Sequence, residues 1–128
     1  MQPDEEKRIP LVNGHSASLQ MCRQYLGKKV AIIIDQAYGT EYKGTRYEAN
    51  YGYIPNTIAP DGEGLDVYFL GPKEPLEQAQ GICIAVIHRL EDDDDKLILV
   101  PEGVALSDQE IENAVNFREQ FFKHVIVR

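Results

Sequence analysis

From Val30 onward the chain reads as short runs of branched and aromatic residues: VAIIID, TRYEANYGYI, LDVYFLG, GICIAVIHRL and KLILVP. Glycine, proline and acidic residues separate them, the punctuation expected between β-strands. No long helical pattern lies between the runs, so they predict antiparallel pairing into a small, closed or partly open five-stranded barrel, not a parallel doubly wound sheet. Side chains alternate across a strand, which makes Ile32, Ile34, Val67, Phe69, Ile84, Val86, Ile98 and Val100 the core candidates.

Helical spacing appears only at the two ends of this β-rich stretch. Ser16 is placed to cap a short helix in which Leu19, Cys22 and Leu26 recur, with Gly27 positioned to end it. Ser107 and Glu110 form a capping box before a second helix, whose face carries Ile111, Ala114, Val115, Arg118 and Phe122 and which ends near Lys123 and His124. VIVR then offers a last short strand or tail, and residues 1–15 read as a loosely held arm. The predicted class is mainly β with flanking helices (α+β).

A chain of 128 residues carries one core of ordinary size, so residues 1–128 are expected to form a single domain. No apolar run is long enough for a membrane helix, and MQPDEEKRIP lacks the basic-then-apolar order of a leader, which points to the cytoplasm. Cys22 and Cys83 stand far apart with no ligand spacing, as packed thiols do. The net charge of −8 argues against nucleic acid as a partner, since phosphate backbones are held by clustered cations. A protein of this charge that handles phosphate needs bound cations.

Two acidic stretches border strands: DGEGLD, with Asp61, Glu63 and Asp66, and EDDDDK, with Asp92 to Asp95. DDDDK is also the cleavage sequence of enteropeptidase, but here it lies deep in the chain and leads straight into LILV. On an extended segment Asp61 and Glu63 share a face, and so do Asp94 and Lys96. Oxygen donors of this kind suit magnesium, manganese or calcium, whereas zinc usually takes His or Cys, and the three histidines are scattered. A solvated hairpin tip would explain one acidic run. Two such runs beside KGTRYEANYGY, with its Lys, Arg and Tyr donors, have the composition of a metal–phosphate site.

ANYGYIPNTIAPDGEGLDVYFLG followed by GICIAVIHRLEDDDDKLILVPEG resembles the central part of the family I soluble inorganic pyrophosphatases, over about Val30 to His124. The resemblance implies an OB-like five-stranded barrel and hydrolysis of pyrophosphate that depends on Mg2+, with two or more ions per site and Mn2+ also suited. It implies metal ligation by Asp61 and Asp66, and by Glu63, which stands where the family has an aspartate that helps deprotonate the attacking water. It implies a further metal ligand at Asp92 and another at either Asp94 or Asp95, with Lys96 binding phosphate. It also implies phosphate contacts from Lys43, Tyr47 and Tyr51, with Tyr51 donating a hydrogen bond. Asp35 stands where the family has a glutamate. The family's hairpin and its phosphate-binding arginine are missing before the NYGY stretch, leaving Arg46 as a replacement or a solvated strand residue, and the chain stops before the family's terminal Tyr-Lys pair. Homo-oligomers are common in the family. The alternatives are a weakened relative that binds magnesium–phosphate compounds without turnover, and a hydrolase of another small phosphoanhydride.

Overall fold

The computed structural model describes residues 11–12 and 15–128, with side chains from residue 16 onward. Most of the expected N-terminal arm therefore lies outside the described residues. Within it, β1 (Leu11–Val12) pairs antiparallel with β2 (His15–Ser16). Helix α1 (Ala17–Arg23) follows, and the Ser16 hydroxyl accepts the Leu19 N–H as its N-cap.

A closed barrel is built from β3 (Lys29–Gln36), β6 (Asn50–Tyr53), β7 (Asp66–Phe69), β8 (Gln78–Arg89) and β9 (Lys96–Val100), in the order β8-β3-β6-β7-β9 with β9 returning to β8. Four of the five pairs are antiparallel, as the sequence pattern suggests, but β7 and β9 run parallel. Strand β8 is long enough to serve three neighbours. Its first residues pair with β3, its middle with β9 and its last with β10 (His124–Val127), which extends the sheet beyond the barrel. Gly52 sits where β6 crosses β3 closely: a Cβ there would meet the Ile33 carbonyl oxygen at 1.8 Å.

Both faces of β7 and β9 are covered, which is why their residues are almost all buried. The barrel interior packs Val30, Ile32, Val67, Phe69, Val86, Leu97 and Leu99, with Leu19 and Cys22 of α1 joining them. The outer face packs Tyr68, Ala85, Ile87, Ile98 and Val100 under Ile111 and Val115 of α2 (Asp108–Glu119). Each buried Val, Leu, Ile or Phe among them contributes about 1.5–3 kcal/mol. The Ser107–Glu110 capping box is present, although α2 stops at Glu119, before Phe122. Of the expected core, Ile34 and Ile84 are only half-buried: register shifts between Ile34 and Gln36, and between Cys83 and Ala85, interrupt the alternation there. Cys22 and Cys83 are buried free thiols, and burial pushes Cys83 up to about 11. No helix among the described residues is long and apolar enough to cross a membrane.

A short hairpin does precede the NYGY stretch, which corrects the expectation that none is there. Strands β4 (Glu41–Tyr42) and β5 (Thr45–Arg46) pair across Lys43 and Gly44, both at positive φ, the geometry of a tight two-residue hairpin turn. It packs beside α2.

Candidate active site

The parallel β7–β9 pair decides where the site forms. Parallel strands start at the same end of the sheet, so the loop before β7, which carries DGEGLD, and the loop before β9, which carries EDDDDK, arrive side by side. Asp66 and Lys96 open the two strands and stand directly opposite each other. The Lys96 ammonium lies 2.7 Å from Asp66 Oδ2 and 2.8 Å from Asp94 Oδ1, and is wholly buried.

Asp61 joins them from a stitched loop. The Thr57 hydroxyl donates to the Ile54 carbonyl and accepts the Leu65 N–H, while Asp61 Oδ1 accepts the Glu63 N–H at 2.9 Å. Asp61, Asp66 and Asp94 each present a carboxylate oxygen, and the three oxygens lie within 4.8 Å of one another. Burial pushes Asp66 above the ordinary carboxylate range, with Lys96 pulling the other way. Asp94 is drawn up by burial too, but Lys96 and Arg89 outweigh it and hold it low.

Tyr51 lies on the same outer face, opposite Tyr68 in register. Its hydroxyl is within reach of Asp66, and burial followed by the Asp66 charge keeps it protonated far above its usual range. Tyr47, Tyr51, Tyr68 and Phe117 form a tilted, edge-on ring cluster with centroids 5.0–6.0 Å apart. Tyr47 is thus packed among rings. Asn50 of the NYGY stretch is structural: Oδ1 accepts the Tyr38 and Leu76 N–H groups and Nδ2 donates to the Glu74 carbonyl.

The four aspartates of the run have four different surroundings. Asp92 is exposed and accepts from Arg89 Nη1 at 2.7 Å, away from the triad. Asp93 is half-buried and accepts the Ser18 N–H of α1 at 3.1 Å. Asp94 joins the triad. Asp95 is buried, accepts the Arg89 backbone N–H, meets His88 Nδ1 at 2.9 Å and donates its own N–H to Ser18 Oγ. Asp94 and Lys96 share a face, and Asp95 points to the opposite one.

Glu63 is exposed, and its carboxylate stands outside the triad. Lys43 is exposed over the Tyr42 ring, and Arg46 and Asp35 are exposed on their strands. Among the described residues no ion pair joins Lys43 or Arg46 to the triad. Arg118 was read only as part of a helix face. Its guanidinium sits over Tyr51, 4.7 Å from the ring centroid, and 6.0 Å from that of Tyr47. Its spacing on α2 is that of a packing position, so nothing local in the sequence marks it.

The profile of the inorganic pyrophosphatase family matches residues 26–126. The chain belongs to this family. An inorganic pyrophosphatase of Pseudomonas aeruginosa is 42% identical over 59 residues, covering 43% of this chain and 34% of the relative. One of Xylella fastidiosa is 35% identical over 75 residues, covering 56% of this chain and 40% of the relative. The chain thus spans about a third to two fifths of the length of the curated relatives it matches. Its barrel is similar to the inorganic pyrophosphatase of Helicobacter pylori, with TM-score 0.62 at 17% identity over 78% of this chain and 84% of that one. It is also similar to that of Thermus thermophilus, with TM-score 0.56 at 16% identity over 95% and 87%. These two likenesses show the pyrophosphatase fold, an OB-like barrel with a C-terminal helix.

Proposed function

We propose that this chain hydrolyses inorganic pyrophosphate to two phosphates with divalent cations bound at Asp61, Asp66 and Asp94. The observation that carries the reading is the carboxylate triad closed by Lys96 and Tyr51, in a chain of the inorganic pyrophosphatase family. Three clustered oxygens with no nitrogen or sulfur donor fit a hard cation such as Mg2+ or Mn2+. A divalent cation there would supply charge neutralisation for an anionic substrate and Lewis-acid activation of water.

The chain's own groups divide the remaining work. Asp66 and Asp94 are held in place by the buried Lys96 ammonium, which offsets their mutual repulsion. Tyr51, kept protonated, is a hydrogen-bond donor at the edge of the triad. Lys96 has three N–H donors, of which two are committed to Asp66 and Asp94. Lys43 and Arg46, on the hairpin beside α2, supply exposed positive charge for the approach of an anion.

One observation favours the alternative of a binding protein with weak turnover: Glu63, at the family's base position, does not sit with the triad. Phosphate release from pyrophosphate with and without Mg2+, in wild type, Asp66→Asn and Glu63→Gln, separates the two. Release that depends on Mg2+ and on Asp66 supports the hydrolase. Magnesium-dependent pyrophosphate binding without release supports the binding protein. The two free cysteines fit a reducing compartment such as the cytoplasm. Phe121, 72% exposed beside exposed Phe122 and Leu90, is the apolar ground on which a homo-oligomer would form, and sedimentation of Phe121→Glu tests it.

A further inference from the structure

Asp94, the triad carboxylate of the second acidic loop, sits in a segment with little of its own to hold it. Residues 91–95 lie between β8 and β9, and among the described residues no backbone-to-backbone hydrogen bond of a turn or loop involves any of them. Asp93 takes a left-handed conformation, with φ 51°, which a residue other than glycine keeps only where its surroundings hold it. A cation ligand on such a loop needs an anchor from elsewhere in the fold.

The anchor comes from α1, 75 residues away in sequence. Ser18 is the second residue of α1, where backbone N–H groups have no partner inside the helix. The Ser16 hydroxyl takes the Leu19 N–H, and Asp93 Oδ1 takes that of Ser18 at 3.1 Å. Ser18 Oγ in turn accepts the Asp95 N–H at 3.3 Å. One buried residue thus grips the loop on both sides of Asp94. The Asp95 bond uses the backbone, so it does not depend on the Asp95 side chain, which faces Arg89 and His88 instead. Helix α1 is itself seated, with Leu19 and Cys22 packed into the barrel interior.

We infer that Ser18 is a positioning residue of the metal centre, holding Asp94 in the triad by gripping Asp93 and Asp95. The inference rests on the reading above in which the triad binds divalent cations. Ser18 stands outside the triad and acts through Asp94 alone, since Asp61 and Asp66 arrive on the other loop. A ligand whose outer partner is lost binds its metal more weakly, because ordering the loosened ligand then opposes binding.

The test measures Mn2+ binding without substrate, and the Mg2+ dependence of phosphate release from pyrophosphate, in wild type, Ser18→Ala and Val30→Ala. Val30→Ala is the control for a merely structural effect. It thins the barrel interior beside Gly81, at the opposite end of β9 from Lys96, and leaves both Ser18 bonds in place. Ser18→Ala is expected to weaken Mn2+ binding by about tenfold, the lower end of the tenfold to hundredfold cost of losing a partner that holds a metal ligand, because the residue 18 N–H still grips Asp93. The Mg2+ concentration for half-maximal release should rise in parallel, while Val30→Ala should lose stability in urea and keep its Mn2+ affinity. Unchanged Mn2+ affinity in a folded Ser18→Ala protein overturns the inference, as does an equal loss in Val30→Ala. Should Ser18→Ala unfold, Asp93→Asn against Asp93→Gly decides: both lose the charge and both suit a positive φ, but only asparagine keeps an acceptor for the Ser18 N–H. Tighter Mn2+ binding by Asp93→Asn supports the inference, and equal binding overturns it. Should wild type bind Mn2+ but release no phosphate, the hydrolase reading alone fails and the Mn2+ measurements still judge Ser18. Should wild type bind no Mn2+, the cation reading fails and the inference is overturned with it.

Discussion

Lys96 and Asp66 face each other at the first positions of two parallel strands, with the ammonium 2.7 Å from the carboxylate, and the same ammonium also holds Asp94. A buried lysine thus offsets part of the charge of the acidic triad. Removing it in Lys96→Met leaves the carboxylates opposed, and breaking a buried pair costs about 3–5 kcal/mol. The lower end applies here, because the Asp66 and Asp94 side chains keep 22% and 32% of their surface exposed. Thermal unfolding in metal-free buffer should show the loss. Saturating Mg2+ should then stabilise Lys96→Met more than wild type, because the cation takes over the missing charge. Equal midpoints in metal-free buffer would refute this role for Lys96.

Asp94 and Asp95 are neighbours in sequence with opposite consequences. Asp94→Asn removes a triad oxygen's charge and should weaken Mn2+ binding, read by calorimetry, with a stability loss smaller than that of Lys96→Met because Asp66 still faces the ammonium. Asp95→Ala should leave Mn2+ binding intact and cost about 1–3 kcal/mol, because the buried Arg89 N–H loses its acceptor. Urea titrations of the two variants check the second half. A loss of metal affinity in Asp95→Ala as large as in Asp94→Asn would contradict the geometry.

The strands and the second helix were legible because β-branched and aromatic runs and the Ser107–Glu110 box are local signals for local structure. Pairing direction is not local. Val67 and Phe69 alternate in the same way whether β9 runs with or against β7, so the parallel pair, and with it the meeting of the two acidic loops, was not written in any single run. Asp94 was separable from Asp95 in principle by strand alternation with Lys96. Register shifts defeated the same alternation at Ile34 and Ile84. Arg118 escaped for a different reason: an arginine on an apolar helix face reads as a snorkelling stem, and its place over the Tyr51 and Tyr47 rings depends on where the helix docks.

Glu119 ties α2 to the barrel from a fully buried position, accepting from Arg89 twice and from the Tyr68 hydroxyl at 2.6 Å. Burial draws its pKa up, but the Arg89 bonds prevail and hold it below its usual value. A depressed carboxylate contributes stability above its unfolded pKa that is lost as pH falls through the folded one, so Glu119 adds to acid lability. Glu119→Gln should cost about 3–5 kcal/mol by stranding Arg89, and the double replacement Arg89→Met with Glu119→Leu should cost less than the two single changes together. Additive losses in urea unfolding would show that the pair is not coupled.

His124 reports on the other attachment of α2. Its Nε2 lies 2.8 Å from Glu112 Oε1 and its Nδ1 lies 2.7 Å from the Phe122 carbonyl oxygen, so both nitrogens face acceptors and both must donate. Only the imidazolium does that. Burial pulls its pKa down, but the Phe122 carbonyl and Glu112 outweigh it and raise it above 6.5. For a raised group the stabilisation is complete below the unfolded value and fades as pH climbs through the folded value. The urea midpoint of wild type should therefore fall over a window that begins near pH 6.5 and extends upward, while His124→Asn is lower at acidic pH and flat across that window. The difference between the two proteins is the quantity to measure, because it cancels every other titrating group. A difference that does not shrink with rising pH would show that the imidazolium contributes nothing to holding α2 against β10.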